Sequence, residues 1–248
     1  MTKTFRRKLD LKAGRVDMSH GAGGRAMAEL ISSIFKDAFG NELLDQGNDQ
    51  ASFPTPSGGR MVMTTDGYVV SPIFFPGGDI GSLAVHGTVN DLAMAGAKPL
   101  YLSASYIIEE GFPLGDLKRI AESMGAAAKA AGVMIVTGDT KVVERGKADG
   151  VFISTAGVGV VPDGLVLSGD RARPGDKVIV SGSMGDHGVA IMSSRENLTF
   201  ETEILSDSAA LNGLVETMVA VAGPQLRLMR DPTRGGLAAT LNELAHQS

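Results

Sequence analysis

Helical and strand-like patterns of apolar residues alternate along the first two thirds of the chain. From residue 27 onward, apolar side chains recur at helical spacing, which predicts an amphipathic helix. Residues 61–65 form a short β-type run that ends at Asp66 and Gly67, and residues 80–95 return to helical spacing. The apolar positions of the first helix are Met27, Leu30, Ile31, Ile34, Phe35 and Phe39.

The next segments complete one sheet-forming unit. Residues 99–108 predict a strand, and Pro113 opens a helix that carries one apolar stripe, a position that proline favours. Residues 133–136 predict a strand that leads into residues 137–140, and residues 151–161 predict a long strand with small side chains. The order β-α-β-α-β-β with short links indicates an α+β fold in which helices cover one face of a sheet.

A second domain is expected after a run of turn-forming residues over 162–175. We expect a buried strand at residues 177–180, a helix after residues 185–188, a helix over 206–221, and a last helix that begins after residues 231–236. The predicted division is an arm over residues 1–17, an N-terminal domain over 18–165, and the first part of an α/β C-terminal domain over 166–248.

Composition and charge narrow the possible functions. The net charge of −5 argues against nucleic-acid binding, because neutralising phosphates requires a basic face. No apolar run approaches the roughly 18 residues of a membrane span, and no secretory signal opens the chain, so we expect a cytoplasmic protein. The sequence contains no cysteine, which excludes disulfides, thiolate metal sites and a cysteine nucleophile within these residues.

The first candidate site is a glycine loop ahead of the first helix, with Gly21, Gly23 and Gly24. Glycines allow backbone N–H groups to approach a phosphate closely, and the N-terminus of a helix favours negative charge. The loop matches neither the P-loop nor the dinucleotide fingerprint. A plain turn before a helix is the alternative interpretation of this loop.

The second candidate is a set of acidic residues at the ends of predicted elements. Asp66 and Asp139 each follow a β run beside a glycine, Asp91 follows Asn90 on a predicted helix, and Asp49 lies upstream. Mg²⁺ is held by one or two carboxylates together with substrate phosphates, so this set predicts a metal site. For each aspartate taken alone, a helix cap or a turn is the simpler interpretation.

Three further motifs carry polar groups. Lys141, beside Asp139, is suited to neutralising a phosphoryl group in transfer. A single histidine such as His187 is more often structural than catalytic, and the same holds for His20 and His86. Asp231 or Thr233 could cap the last helix, where Arg234 could meet an anion.

Together these motifs resemble the PurM-like ATP-binding superfamily, and within it the HypE family of hydrogenase maturation factors. The resemblance covers almost the whole chain after the first dozen residues. The stretches that carry it are residues 20–24 (HGAGG), 65–70 (TDGYVV), 74–78 (FFPGG), 90–93 (NDLA), 136–143 (VTGDTKVV), 185–188 (GDHG) and 231–236 (DPTRGG).

The resemblance implies a fold in which the N-terminal sheet pairs across a homodimer. It implies that Asp66, Asp91 and Asp139 hold Mg²⁺, and that Asp91 and Lys141 are catalytic. The implied contacts to ATP are made by Gly21, Gly23, Gly24, Asp49, Asp66, Asn90, Asp91, Gly138, Asp139 and Thr140.

The reaction implied by the resemblance is the ATP-dependent dehydration of a protein-bound S-carboxamide to a thiocyanate, which supplies the cyanide ligands of nickel–iron hydrogenase. HypF is the implied carbamoyl donor, and the HypC–HypD complex is the implied cyanide acceptor. Members of the family continue to a flexible tail that ends in the cysteine that is carbamoylated. Because these 248 residues contain no cysteine, we expect an incomplete form that does not complete the reaction.

Two alternatives remain open on the sequence alone. One is another ATP-dependent small-molecule kinase or synthetase of the same superfamily, although the nucleophile of a selenophosphate synthetase is absent. The other is a non-catalytic scaffold that docks maturation proteins. Docking requires neither glycine loops nor grouped aspartates, so these motifs argue against a scaffold.

Overall fold

The computed structural model describes residues 9–46, 50–54, 56–196 and 203–248. The predicted site residue Asp49 lies outside them. The strands are β1 (Arg60–Tyr68), β2 (Phe74–Phe75), β3 (Gly78–Asp79), β4 (Lys98–Glu109), β5 (Met134–Val143) and β6 (Val151–Val161). The helices are α1 (Gly24–Leu30), α2 (Asp37–Phe39), α3 (Ile80–Met94), α4 (Leu114–Ala131), α5 (Asp186–Glu196), α6 (Asn212–Ala222) and α7 (Gly236–Gln247), with a π-helical stretch over Ile31–Lys36.

Four strands form one mixed sheet in the order β1-β6-β4-β5. The β1–β6 and β6–β4 pairs are antiparallel, and β4 and β5 are parallel because α4 makes the crossover between them. One row across the sheet joins Asp66, Thr155, Ala104 and Gly138. This row locates the acidic residues of β1 and β5 relative to each other.

In the part of the chain that the structure describes, the helices cover one face of the sheet. Along β4, Leu102, Ala104, Tyr106 and Ile108 are buried on the side of α3 and α4. The residues between them point to the other face, which we call the open face. It exposes apolar side chains, among them Met63 with an exposed fraction of 72%. The predicted α+β arrangement, a sheet with helices on one face, is thus confirmed.

The core lies between the sheet and its helices. Helix α4 contributes Leu117, Ile120 and Met124, all fully buried, and α3 contributes Ile80 and further small apolar residues. Helix α4 begins after Pro113 and ends at Gly132, whose left-handed φ of 70° suits glycine. This close packing holds α3 against β1 and so fixes the position of Asp91 on α3 relative to β1.

Two predicted strands extend further than expected. Strand β1 continues through Asp66 to Tyr68, and β5 continues through Asp139 to Val143, so neither aspartate lies in a loop. The strands continue because β6 and β4 keep pairing with them over these residues. Each aspartate is therefore held by a ladder of backbone hydrogen bonds.

The C-terminal stretch departs from its predictions in two places. Residues 177–180 are not a strand, and Ile179 is 82% exposed. Helix α6 begins at Asn212 rather than Ser206, because the backbone of Ser206 and of Leu211 is bonded to the N-terminal domain instead. Among the described helices, none is both long and apolar enough to cross a membrane.

Candidate functional site

The glycine loop lies against the carboxyl end of β5. Gly21 packs so closely on Val142 that a Cβ there would lie 2.8 Å from the Val142 backbone nitrogen. Gly23 and Gly24 have left-handed φ values of 82° and 75° and face open space. Among the described residues, no side chain caps α1, and the backbone N–H groups at the start of a helix suit an anion.

Lys141 and Asp139 form an ion pair on the open face of β5. The Lys141 Nζ atom lies 3.0 Å from Asp139 Oδ2, and the Thr140 backbone N–H donates to Asp139 Oδ1 at 2.8 Å. The hydrogen bond from Lys141 holds the pKa of Asp139 below its usual range. Both side chains are more than half exposed, so they are accessible to a ligand. We call the glycine loop together with this pair the glycine-loop group.

Gly138 and Thr140 serve the sheet in this structure. A Cβ on Gly138 would lie 2.2 Å from the carbonyl oxygen of Ala104, so glycine is required for β4 to approach β5. The Thr140 side chain is buried on the helix-covered face. Their predicted contact with the nucleotide therefore stays a prediction, and for Thr140 it is restricted to the backbone.

Asp66 and Asp91 come together at the other edge of the sheet. Thr64 Oγ1 on β1 donates to Asp91 Oδ2 on α3 at 2.9 Å, and Asp66 lies on the same face of β1 as Thr64. Burial raises the pKa of Asp91, and the negative charge of Asp66 raises it further. The packing of α3 on β1 thus places two carboxylates in one half-buried site.

Asp231 is a third carboxyl at this edge, and the sequence interpretation missed its role. The sequence pattern predicts Asp231 or Thr233 as the cap of the last helix, but Gly235, with a φ of 81°, occupies the cap of α7, so that prediction is wrong. Instead, Asp231 lies close enough to Asp91 for the two carboxyls to influence each other's pKa. Burial and the charge of Asp91 raise the pKa of Asp231. We call Asp66, Asp91 and Asp231 the acid group.

The side chain of Asn90 forms hydrogen bonds to the backbone just before α6. Its Nδ2 atom donates to the carbonyl oxygen of Ala209 at 2.9 Å, and its Oδ1 atom accepts the backbone N–H of Leu211 at 2.8 Å. These two bonds engage both ends of the amide without a nucleotide. A direct contact of Asn90 with the nucleotide stays a prediction.

The glycine-loop group and the acid group are separated within one chain. Asp66 and Asp139 lie on the two edge strands, with β6 and β4 between them, which corresponds to about 14 Å at usual strand spacing. Asp66 is on the helix-covered face, and Asp139 is on the open face. Within the described ranges, no three acidic or histidine side chains are close enough to hold one metal ion. The predicted triad of Asp66, Asp91 and Asp139 is not assembled by a single chain.

The chemistry of each group fits part of a Mg²⁺–ATP complex. Carboxylates and the hydroxyl of Thr64 are the hard oxygen ligands that Mg²⁺ prefers. Burial, and to a smaller extent the neighbouring carboxylates, raise the pKa of Asp91 and of Asp231, and a divalent cation would favour their charged forms. The backbone N–H groups near Gly23 and Gly24, with the cation of Lys141, suit phosphate oxygens.

Two histidines form contacts at the junction of the two domains, and a third closes a turn in the N-terminal domain. His86 Nδ1 lies 3.0 Å from Ser208 Oγ, and His187 Nδ1 lies 2.9 Å from Ser206 Oγ. His20 closes the turn before the glycine loop, with its Nδ1 accepting the backbone N–H of Asp17 at 3.0 Å. These contacts agree with a structural role for all three side chains.

Comparison with protein families places both parts of the chain. The AIR synthase related protein N-terminal domain matches residues 47–161, and the AIR synthase related protein C-terminal domain matches residues 173–248. The carbamoyl dehydratase HypE of Rhizobium leguminosarum bv. viciae is 73% identical over 248 residues, which is all of this chain and 71% of that relative.

Solved structures agree with this placement. A structure described as hydrogenase maturation protein HypE in complex with ATP is 55% identical, with a TM-score of 0.90 over 93% of this chain and 68% of that one. A structure of a HypE–HypF complex is 54% identical, with a TM-score of 0.75 over 88% of this chain and 70% of that one.

Proposed function

The chain belongs to the HypE family of AIR synthase related proteins, and we propose that it acts as an ATP-dependent carbamoyl dehydratase in hydrogenase maturation. The observation that carries this proposal is the 73% identity to a carbamoyl dehydratase over all 248 residues. The glycine-loop group and the acid group are suited to Mg²⁺–ATP, which a scaffold does not require, and the identity to a carbamoyl dehydratase favours this reaction over that of another kinase or synthetase.

The proposed reaction converts an S-carboxamide into a thiocyanate. The carboxamide oxygen attacks the γ-phosphorus of ATP, ADP leaves, and the nitrogen gives up one proton. The nitrogen then loses its second proton, and phosphate departs with the oxygen, which leaves the S–C≡N group. Phosphorylation is needed because an amide oxygen is otherwise a poor leaving group, so the protein must mainly position the reactants and neutralise charge.

We assign the two groups different parts of this task. The backbone N–H groups at Gly23 and Gly24 bind phosphate oxygens, and Lys141 neutralises the phosphoryl group in transfer. Asp66 and Asp91 hold Mg²⁺, which supplies charge neutralisation when it is bound, and Asp231 lies beside Asp91 without completing a set of three ligands. Thr64 keeps the Asp91 carboxyl oriented through its hydrogen bond.

A second copy of the chain supplies the missing half of each site in this proposal. The open face is apolar and uncovered, with Met61, Met63, Ile107 and Met134 exposed. Asp139 and Lys141 lie on that same face, so pairing two open faces buries the apolar residues and brings the glycine-loop group of one copy to the other copy. Asp91 contacts β1, which is an edge strand of the sheet, as β5 is at the opposite edge. In the proposed dimer, β5 of one copy lies beside the β1 edge of its partner, so that each nucleotide site contains Asp91 from one chain and Lys141 from the other.

The proposal also includes two protein partners and a compartment. We propose HypF as the carbamoyl donor, supported by the solved HypE–HypF complex of a relative. We further propose that the HypC–HypD complex accepts the cyanide and that the reaction takes place in the cytoplasm.

A peptide substrate tests the chemistry directly. Because the chain has no cysteine, the carboxamide is supplied as a synthetic S-carbamoyl-cysteine peptide together with Mg²⁺ and ATP. We expect peptide-dependent release of ADP and phosphate, with the peptide losing the mass of one water. The uncarbamoylated peptide is the matched control. Dehydration that proceeds without ATP, or ATP turnover that ignores the carbamoyl group, contradicts the proposal.

Mixing two variants tests whether the site is shared between chains. Asp91→Asn and Lys141→Ala are each expected to lose tight Mg²⁺–ATP binding as homodimers. In a random mixture, half of the dimers are mixed and each has one intact site, so about a quarter of the sites recover. Binding stoichiometry from titration calorimetry measures this fraction. No recovery after complete subunit exchange would place both residues in one chain's site.

A further inference from the structure

The side chain of Asn90, beside the acid group, forms hydrogen bonds that connect α3 to the second domain. We call these two bonds, to Ala209 and Leu211, the tie. The Asn90 side-chain amide donates to Ala209 and accepts from Leu211, so one residue of α3 fixes the backbone immediately before α6. The next residue along α3 is Asp91. The tie and the carboxylate are therefore on the same turn of one rigid helix.

The stretch that Asn90 holds leads to Asp231. Helix α6 starts at Asn212, packs along α3 and buries Val215. Beyond the end of α6, the chain continues to Asp231, which lies close enough to Asp91 for the two carboxyls to interact. The path from the residues that Asn90 holds to Asp231 therefore runs through α6.

We infer that Asn90 is a positioning residue, which sets the distance between Asp231 and Asp91 by holding residues 209–211 on α3. The inference rests on the proposed Mg²⁺–ATP site and adds a role for a residue that need not contact the nucleotide. The hydrogen bonds of Asn90 hold the second domain on α3 and keep Asp231 near Asp91. Packing of the second domain on α3 therefore strengthens the binding of Mg²⁺–ATP, and bound Mg²⁺–ATP in turn stabilises this packing.

Asn212 provides a matched control. Its Nδ2 atom also donates to a backbone carbonyl, that of Ala131, at 2.9 Å, and so ties the same end of α6 to α4 rather than to α3. Asn90→Ala and Asn212→Ala each remove side-chain hydrogen bonds to backbone at one end of α6. Only Asn90→Ala releases the tie beside Asp91.

The experiment measures ATP affinity by titration calorimetry with Mg²⁺ and with EDTA. We expect Asn90→Ala to weaken binding about tenfold with Mg²⁺ and to leave binding in EDTA unchanged, from the loss of two hydrogen bonds. Asn212→Ala is expected to stay within about twofold in both conditions. Equal effects of the two variants, or an equal loss in EDTA, would overturn the positioning role.

Hydrogen exchange tests the same role in the wild type. Coupling between two sites is reciprocal, so Mg²⁺–ATP must slow exchange at the Leu211 amide if the tie favours its binding. Exchange at Leu211 that does not respond to Mg²⁺–ATP overturns the inference. A wild type that binds no ATP with Mg²⁺ overturns the proposed function itself, and this inference with it.

Discussion

The sheet domain and the stretch after residue 162 differ sharply in how their side chains are buried. In the sheet domain, Leu117, Ile120 and Met124 of α4 are fully buried against strands and α3. Among the described residues after 162, the buried apolar side chains are only Ala190, Ile191 and Val215, whereas Ile179 and Val221 are more than 80% exposed. The nucleotide-site residues were mostly predicted in the first region, but Asp231 comes from the second.

This difference in burial shows that helices can form from local hydrogen bonds alone, whereas a strand requires a neighbouring strand. Helices α5, α6 and α7 form in the second region because their hydrogen bonds close within each helix. Residues 177–180 have the composition of a strand but do not become one, because a strand needs a neighbour to bond its backbone. Within the described part of residues 162–248 there is no strand to provide it.

Core truncation should separate the two regions most strongly. We expect Leu117→Ala to lower the free energy of unfolding by about 3 kcal/mol, because it leaves a cavity in the packed core. Leu214→Ala on α6, where the side chain is 46% exposed, should cost less than about 0.5 kcal/mol. Urea unfolding followed by circular dichroism measures both. Comparable losses would show that the second region is as tightly packed as the first.

Replacing an exposed apolar residue by a charged one should weaken the dimer only where that residue lies in the interface. Met63→Glu places a carboxylate on the open face of β1, and we expect it to weaken the proposed homodimer by about tenfold or more. Val221→Glu, at a still more exposed site on α6, should leave dimerisation unchanged. Light scattering across a concentration series measures both variants. A monomeric wild type, or dimers equally sensitive to both changes, would count against pairing through the open face.

The histidine contacts between the regions predict a small dependence of stability on pH. Burial lowers the pKa of His86 from its ordinary value of 6.5, and Asp79 opposes this in part. Because the unfolded chain then binds a proton that the folded chain does not, the stabilising contribution is complete above pH 6.5 and is lost as the pH falls below it.

The melting temperature should fall less between about pH 7 and about pH 5 in His86→Gln than in the wild type, by about 2 °C, because the variant lacks the titrating imidazole. His246→Gln, at the exposed end of α7, is the matched control and should leave the profile as it is in the wild type. Calorimetric melting at several pH values measures the difference. An unchanged profile in His86→Gln would show that this contact does not contribute to the junction.

Sequence patterns were sufficient for much of the sheet domain. The spacing of apolar residues predicted α3, α4, β4 and β6 close to their observed bounds, because one face of each element is buried. The resemblance of the glycine loop and the aspartate motifs to one family was confirmed by the comparisons. The roles assigned to the individual site residues stay predictions, and those of Asp49, Gly138 and Thr140 are among them.

By itself, the sequence determined the family, the order of the main elements in the sheet domain and the residue types suited to the proposed Mg²⁺–ATP site, because these depend on local spacing and side-chain chemistry. Only the tertiary structure decided that Asp66 and Asp139 lie on opposite faces and edges of one sheet, since strand order and register are set by long-range pairing. It also decided that Asp231 meets Asp91 and that Asn90 holds the backbone of residues 209–211. Such contacts join residues more than a hundred positions apart, and no local pattern specifies them.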